Sequence, residues 1–101
     1  MIYIEDNAYN YALKNNYSFV IKIINVNLCW GNTPSKALWV ECKNFYDDIT
    51  NYTSFEYKNV KIYVEKSLKL SSNIKIYKNK KSYFRNNSFG VYGVGISENK
   101  S

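Results

Sequence analysis

The chain has 101 residues, the length of one domain, and 46% of them are hydrophobic, with eleven Tyr, five Phe and two Trp. This composition excludes a disordered chain, because disordered segments are poor in aromatic and β-branched residues. No apolar run approaches the roughly 20 residues that span a bilayer, and the first residues lack the features of a signal peptide. We therefore expect a cytoplasmic protein without a membrane segment, whose two cysteines are reduced thiols.

The net charge of +6 is concentrated in the second half of the chain. Residues 1–56 contain four Lys and six acids, a net charge of −2, whereas residues 57–101 contain ten Lys or Arg and two acids, a net charge of +8. A basic half attracts anions such as nucleic acid. However, Lys, Asn, Ile and Tyr are together abundant in the products of A/T-rich genomes. The sequence therefore leaves open whether the basic half is a functional anion site or a solvated surface.

The first half of the chain predicts one helix among strands. Residues 2–4 form a short strand, and 6–15 form an amphipathic helix, because their apolar residues recur at helical spacing. Residues 18–26 are β-branched and mostly apolar, as in a central strand that is buried on both faces. A loop with Gly, Asn, Thr and Pro occupies 27–35, and a strand over 37–43 follows it.

The second half is predicted to be mostly strand. The predicted elements are, in order, an irregular polar stretch (46–53), two short strands (55–57 and 60–64), a turn or single helical turn (65–72) and two further strands (73–77 and 89–96). Lys58 and Asn59 fit a two-residue hairpin turn, since Asn tolerates a positive φ. Ile74 and Ile76 are expected to face inward, and the glycines of the last strand indicate a bulge or a close backbone approach. The pattern predicts an α+β fold, a single antiparallel, β-dominated domain over residues 1–101 with a short N-terminal helix.

The order of these motifs resembles the HesB-like, or A-type, iron–sulfur assembly proteins over roughly residues 2–96. The resemblance is carried by an apolar strand leading to a Cys-x-Gly loop, a nearby Pro-Ser, a Val-rich strand and a closing Phe, here Cys29-Trp30-Gly31, Pro34-Ser35, 59–65 and Phe89. It implies a HesB-like fold and an accessory role in binding or assembling iron or an iron–sulfur cluster. A homodimer, or an iron–sulfur assembly partner or client, is the partner that the resemblance implies.

Cys29 is the one metal ligand that the resemblance carries over, with Trp30 and Gly31 supporting its loop. Typical A-type proteins use three cysteines, and the Cys-x-Cys pair near their C-terminus has no counterpart in this sequence. A reactive thiol and a structural cysteine remain alternatives for Cys29. If the strands on either side of the loop form a hairpin, Cys42 lies opposite about Ile23, on the order of 20 Å from Cys29. That distance excludes a disulfide, so Cys42 is expected to be a small buried hydrophobe.

The sequence gives little support to catalysis. It contains no histidine, which excludes Ser-His and Cys-His nucleophile–base pairs. Asp47 and Asp48 are adjacent carboxylates in a polar stretch, and they are expected to be solvated rather than to hold a cation. No Gly-rich phosphate loop lies between a strand and a helix. We therefore expect a protein that is not an enzyme.

The alternative function is a non-metal interaction module of the same fold that binds a protein or nucleic acid through its basic half. The predicted anion-binding residues are Lys75, Lys78, Lys80, Lys81 and Arg85, and they are interleaved with Tyr77, Tyr83 and Phe84. Basic grooves with aromatic stacking platforms bind single strands in this way. Period-2 placement puts Tyr77 and Phe84 as readily in the core as on the surface, so nucleic acid is not the favoured partner.

Overall fold

The structure is a computed structural model of the chain, and it describes residues 1–26, 35–79 and 88–96. Its elements in chain order are β1 (Ile2–Ile4), α1 (Asp6–Asn15), β2 (Ser18–Val26), β3 (Ser35–Lys43), a 3₁₀ turn (Ile49–Asn51), β4 (Tyr52–Tyr57), β5 (Val60–Glu65), β6 (Leu68–Lys78) and β7 (Phe89–Ile96). The described residues thus form a small, β-dominated α+β domain, which confirms the predicted class. No helix among them is long and apolar enough to cross a membrane.

The strands form two sheets, with the orders β3-β2-β5-β4 and β1-β6-β7. Both sheets are mixed, because β2 pairs with β5 and β1 pairs with β6 in parallel, whereas the other three pairings are antiparallel. The prediction of an antiparallel structure is therefore wrong for two of the five pairings. Sequence patterns identify hairpins between consecutive strands, but each parallel pair joins strands that are distant in the chain.

The core lies between the inner faces of the two sheets, where α1 packs against them. Its fully buried members are, from the four-stranded sheet, Phe19, Ile21, Ile62 and Val64 and, from the three-stranded sheet, Ile4 and Ile76. Ala8 and Ala12 are the buried residues of α1, and their small side chains let the helix backbone approach the strands closely. The helix ends at Asn16, which has a left-handed conformation with a φ of 57° and caps the last turn.

Burial along β2 is less complete than the sequence indicated. The strand is central, between β3 and β5, as predicted. Its first half, Phe19 to Ile21, is buried on both faces, whereas Lys22 to Ile24 are only half-buried. The parallel ladder with β5 explains the difference, because it ends at the pair Ile21–Val64. Beyond that pair the Ile23 amide donates a hydrogen bond to the Glu65 carboxylate instead.

Three strands begin earlier than predicted. Strand β3 starts at Ser35, β4 starts at Tyr52 inside the stretch predicted to be irregular, and β6 starts at Leu68 inside the predicted turn. Leu68 is buried and pairs with Ile96. The ladder between β6 and β7 shifts its register between Leu70 and Lys75, which indicates a bulge. A bulge interrupts the alternation of inward and outward residues, so the long strand β6 is not recognisable from its sequence pattern.

The predicted turns and glycines are confirmed with one change. Tyr57 and Val60 pair at the end of the β4–β5 ladder and leave the two-residue turn Lys58-Asn59, but the positive φ, 54°, belongs to Lys58. Gly93 lies opposite the bulge with a φ of 87°, and a Cβ there would overlap the carbonyl oxygen of Asn73. This position therefore requires glycine, for the reason that the sequence indicated.

Candidate functional site

The predicted loop site, Cys29, Trp30 and Gly31, lies outside the described residues. The strands that lead to it are described, and they end at the pair Val26–Ser35, so Cys29 belongs to the segment that connects β2 to β3 where the hairpin closes. Lys36 is exposed at this end, opposite Asn25. The structure therefore describes the two strands, β2 and β3, that flank the Cys29 segment.

Cys42 lies on the inner face of β3, half-buried against the core. It is paired with Phe19 rather than with Ile23, because the hairpin closes at Val26–Ser35 and its register differs from the predicted one. Seven residues of strand separate Cys42 from the end of the hairpin, a distance of about 23 Å. Burial raises the pKa of the Cys42 thiol to about 12, so this thiol stays protonated at neutral pH. Cys42 is therefore part of the packing rather than a ligand or nucleophile.

The predicted anion-binding residues do not form one cluster in the described part of the chain. Lys80, Lys81 and Arg85 lie outside it. Lys75 and Lys78 are three residues apart on β6, and since strand residues alternate between faces they point to opposite sides of the sheet. Lys75 is on the outer face and forms an ion pair of 3.6 Å with Glu5, whereas Lys78 is half-buried opposite Phe89.

The outer face of the three-stranded sheet carries a group of tyrosines and lysines, and the sequence analysis identified only Lys75 and Tyr77 among them. We call it the tyrosine face, and its members are Tyr3, Lys69, Lys75, Tyr77 and Tyr92. The Tyr77 and Tyr92 rings are stacked, with their centroids 4.7 Å apart and their planes 27° apart. Burial and the neighbouring Tyr92 raise the pKa of Tyr77. The stacking on the exposed Tyr92 places Tyr77 on the outer face, which resolves the choice between core and surface that the sequence pattern left open.

The signal for the missed tyrosines was present in the strand patterns. Val91 packs against the core, so the alternation of β7 places the next residue, Tyr92, on the outside. The same argument places Tyr3 outside between the inward residues Ile2 and Ile4 of β1. The sequence pattern does not show that these two strands pair with β6, one on each side of it.

The acidic pair Asp47-Asp48 is engaged in local structure. Asp47 accepts a hydrogen bond of 2.9 Å from the Tyr52 hydroxyl, and Asp48 accepts bonds from the amide and the hydroxyl of Thr50. Tyr52 belongs to an aromatic cluster with Phe45 and Tyr63 on the outer face of the four-stranded sheet. Within residues 1–26, 35–79 and 88–96, no group of three or more His, Cys, Asp or Glu side chains is arranged to hold a metal ion.

A comparison with known protein families identifies the family of this chain. Residues 1–89 match the family described as the CC/Se motif containing family. The chain belongs to this family. The resemblance to HesB-like iron–sulfur assembly proteins is therefore wrong, because a different family accounts for most of the chain. No curated protein and no solved structure is significantly similar to it.

The family name draws attention to the cysteines. The two cysteines of this family member, Cys29 and Cys42, both lie within the matched range and are not adjacent in the sequence.

The short, degenerate motifs that suggested the HesB-like proteins were a strand, a Cys-x-Gly loop and a Val-rich strand, which many small β-domains can contain. Such motifs do not distinguish one family from another.

Proposed function

We propose that this protein works through the thiol of Cys29, as a non-enzymatic, cytoplasmic thiol protein whose two sheets serve as the scaffold. The observation that carries the proposal is the match of residues 1–89 to the CC/Se motif containing family. We infer from this description that cysteine residues carry the function of the family. Of the two sulfur nucleophiles in the sequence, Cys42 is unsuited, because burial raises its pKa to about 12. Cys29 is therefore the residue to which we assign the function.

The position of the hairpin supports this assignment. A thiol acts as a nucleophile in its thiolate form, which a nearby positive charge favours. Lys36 is exposed at the end of the hairpin that carries the Cys29 segment. The expectation that Cys29 binds iron or a cluster rested on the HesB-like resemblance, which the family match overturns. The expectation of a homodimer stays a prediction.

The proposal is tested by reaction with oxidised glutathione, in which the Cys29 thiolate attacks one sulfur of the disulfide. A protein–glutathione disulfide forms and one glutathione thiolate leaves. We expect the wild-type protein and Cys42→Ser to gain one glutathione by mass spectrometry, and Cys29→Ser to gain none. The pH dependence of the rate should give a pKa for Cys29 below the usual value of about 8.5.

Two results would contradict the proposal. The first is the absence of an adduct in the folded wild-type protein under conditions in which free cysteine reacts. The second is a Cys29 pKa at or above that of free cysteine, since the scaffold would then do nothing to favour the thiolate. Cys42→Ser is the matched control, because it removes a thiol of equal size from the same hairpin without touching the proposed site.

A further inference from the structure

We propose that the tyrosine face, Tyr3, Lys69, Lys75, Tyr77 and Tyr92, binds single-stranded nucleic acid. This surface is distinct from the Cys29 loop and is independent of the thiol function. The bases would stack on the exposed tyrosine rings, and the two lysines would contact the phosphates. The inference rests on the geometry of the tyrosine rings, on the glycines of β7 beside these rings and on the two lysines of the tyrosine face.

Three of these residues lie in one row across the sheet. Lys75 pairs with Tyr3 of β1 on one side and with Tyr92 of β7 on the other, so a lysine lies between two tyrosines. Neighbouring strands are about 4.8 Å apart, so the row places all three side chains within reach of a short stretch of nucleic acid. Tyr92 is 60% exposed, and Tyr3 is 42% exposed with its ring edge-on to the ring of Tyr57, at a centroid distance of 5.5 Å.

The glycines of β7 keep the surface beside the rings open. Tyr77 lies across Gly90, where a Cβ would come within 2.8 Å of its ring carbon Cε2 and would displace it from Tyr92. Gly95 is an outward position opposite Lys69, and among the described residues no atom beyond its chain neighbours lies within 4 Å of where its Cβ would be. Gly95 also borders a shallow depression of about 370 Å³ that extends the face towards Lys69.

The charge of the face suits a polyanion. Strands β1, β6 and β7 contain no acidic residue, and two of their lysines, Lys69 and Lys75, lie on the tyrosine face. Glu5, just after β1, pairs with Lys75 at 3.6 Å, and both side chains are more than a third exposed. Such an exposed pair is weak, so a phosphate can replace the carboxylate. The sequence left open whether Tyr77 lies in the core or on the surface, and its ring stacks on Tyr92 at the surface.

The experiment measures fluorescence anisotropy of a labelled oligothymidine of roughly 12 nucleotides with the full chain at low salt. We expect binding that Tyr92→Ala weakens by about 5- to 150-fold, the loss that removal of one stacking ring gives. Tyr46→Ala is the matched control, since Tyr46 is 85% exposed and lies outside the face, and it should bind like the wild type. Tyr92→Phe keeps a ring and should retain most of the affinity. Lys75→Gln tests the charge without removing a ring.

The salt dependence tests the contribution of the lysines. Two phosphate contacts to a single strand predict a loss of about 7-fold in affinity between about 50 and about 200 mM salt. The proposal is overturned if no binding occurs at the lower salt, or if Tyr92→Ala and Tyr46→Ala bind equally well. It is also overturned if an acidic polypeptide competes as well as the oligonucleotide, which would indicate a protein partner instead. Competition by a duplex with equal affinity would likewise exclude recognition by base stacking.

Discussion

The bulge between β6 and β7 leads us to predict opposite effects for alanine at two glycines of β7, Gly93 and Gly95. Gly93 has a φ of 87°, a conformation that residues with a side chain rarely adopt, and its missing Cβ would overlap the Asn73 carbonyl oxygen and come within 2.7 Å of the Ser71 hydroxyl. Gly95 is two residues further on, and the described residues leave open space where its Cβ would be. Replacing each with alanine therefore adds the same atom in two opposite environments.

The cost of Gly93→Ala has two parts. Holding alanine in the left-handed region costs about 1–2 kcal/mol. Relieving the overlap with the backbone of β6 costs about 1–3 kcal/mol more, as overpacking does elsewhere. The sum, about 2–5 kcal/mol, is a large part of the roughly 5–15 kcal/mol that stabilises a domain of this size. By contrast, Gly95→Ala should change the free energy of unfolding by less than about 0.5 kcal/mol, or stabilise the strand slightly.

Urea unfolding followed by tryptophan fluorescence and by circular dichroism would measure both variants beside the wild type. We expect a much lower midpoint for Gly93→Ala, and a fall of at least about 10 °C in its melting temperature. Gly95→Ala should unfold like the wild type. If the two variants have the same midpoint, the bulge does not impose the conformation described here, and the register of the β6–β7 ladder would have to be reconsidered.

Two further predictions concern the outer face of the four-stranded sheet. Burial acts to raise the pKa of Glu41, but the hydrogen bonds and charges of Lys22 and Lys43 outweigh burial and lower this pKa. The Glu41 carboxylate therefore stabilises the fold above about pH 4.5, and this contribution is lost as the pH falls. Glu41→Gln should therefore flatten the acid limb of stability measured by thermal melts, and an unchanged limb would contradict this. Burial and the bond to Asp47 raise the pKa of Tyr52 to about 12, so the folded state should lose stability from about pH 10 upward as the unfolded state ionises. Tyr52→Phe should make that loss smaller in alkaline melts, at a cost of about 0.5–1.5 kcal/mol near neutral pH. Burial also raises the pKa values of Cys42 and Tyr77, so part of the loss remains. An alkaline loss as large in Tyr52→Phe as in the wild type would refute the assignment.

Local patterns in the sequence determined several elements of this protein. The helix 6–15, the central strand 18–26 and the turn at Lys58-Asn59 were predictable because helical spacing, β-branched runs and turn residues are properties of short segments. The inward side of Ile74 and Ile76 followed from alternation in the same way. The inward side of Cys42 was also predictable, because its alternation with Leu38 and Val40 identifies one face of a strand, although the residue is half-buried rather than fully buried.

Pairing and register were decided only by the tertiary structure. The two parallel pairings join distant strands, and nothing in a short segment specifies a distant partner. The register of the β2–β3 hairpin placed Cys42 opposite Phe19, because the hairpin closes at Ser35 rather than later. The row Tyr3–Lys75–Tyr92 exists because β6 lies between the first and last strands of the chain. Alternation tells which side chains share a face, but only the pairing of strands tells which of them meet.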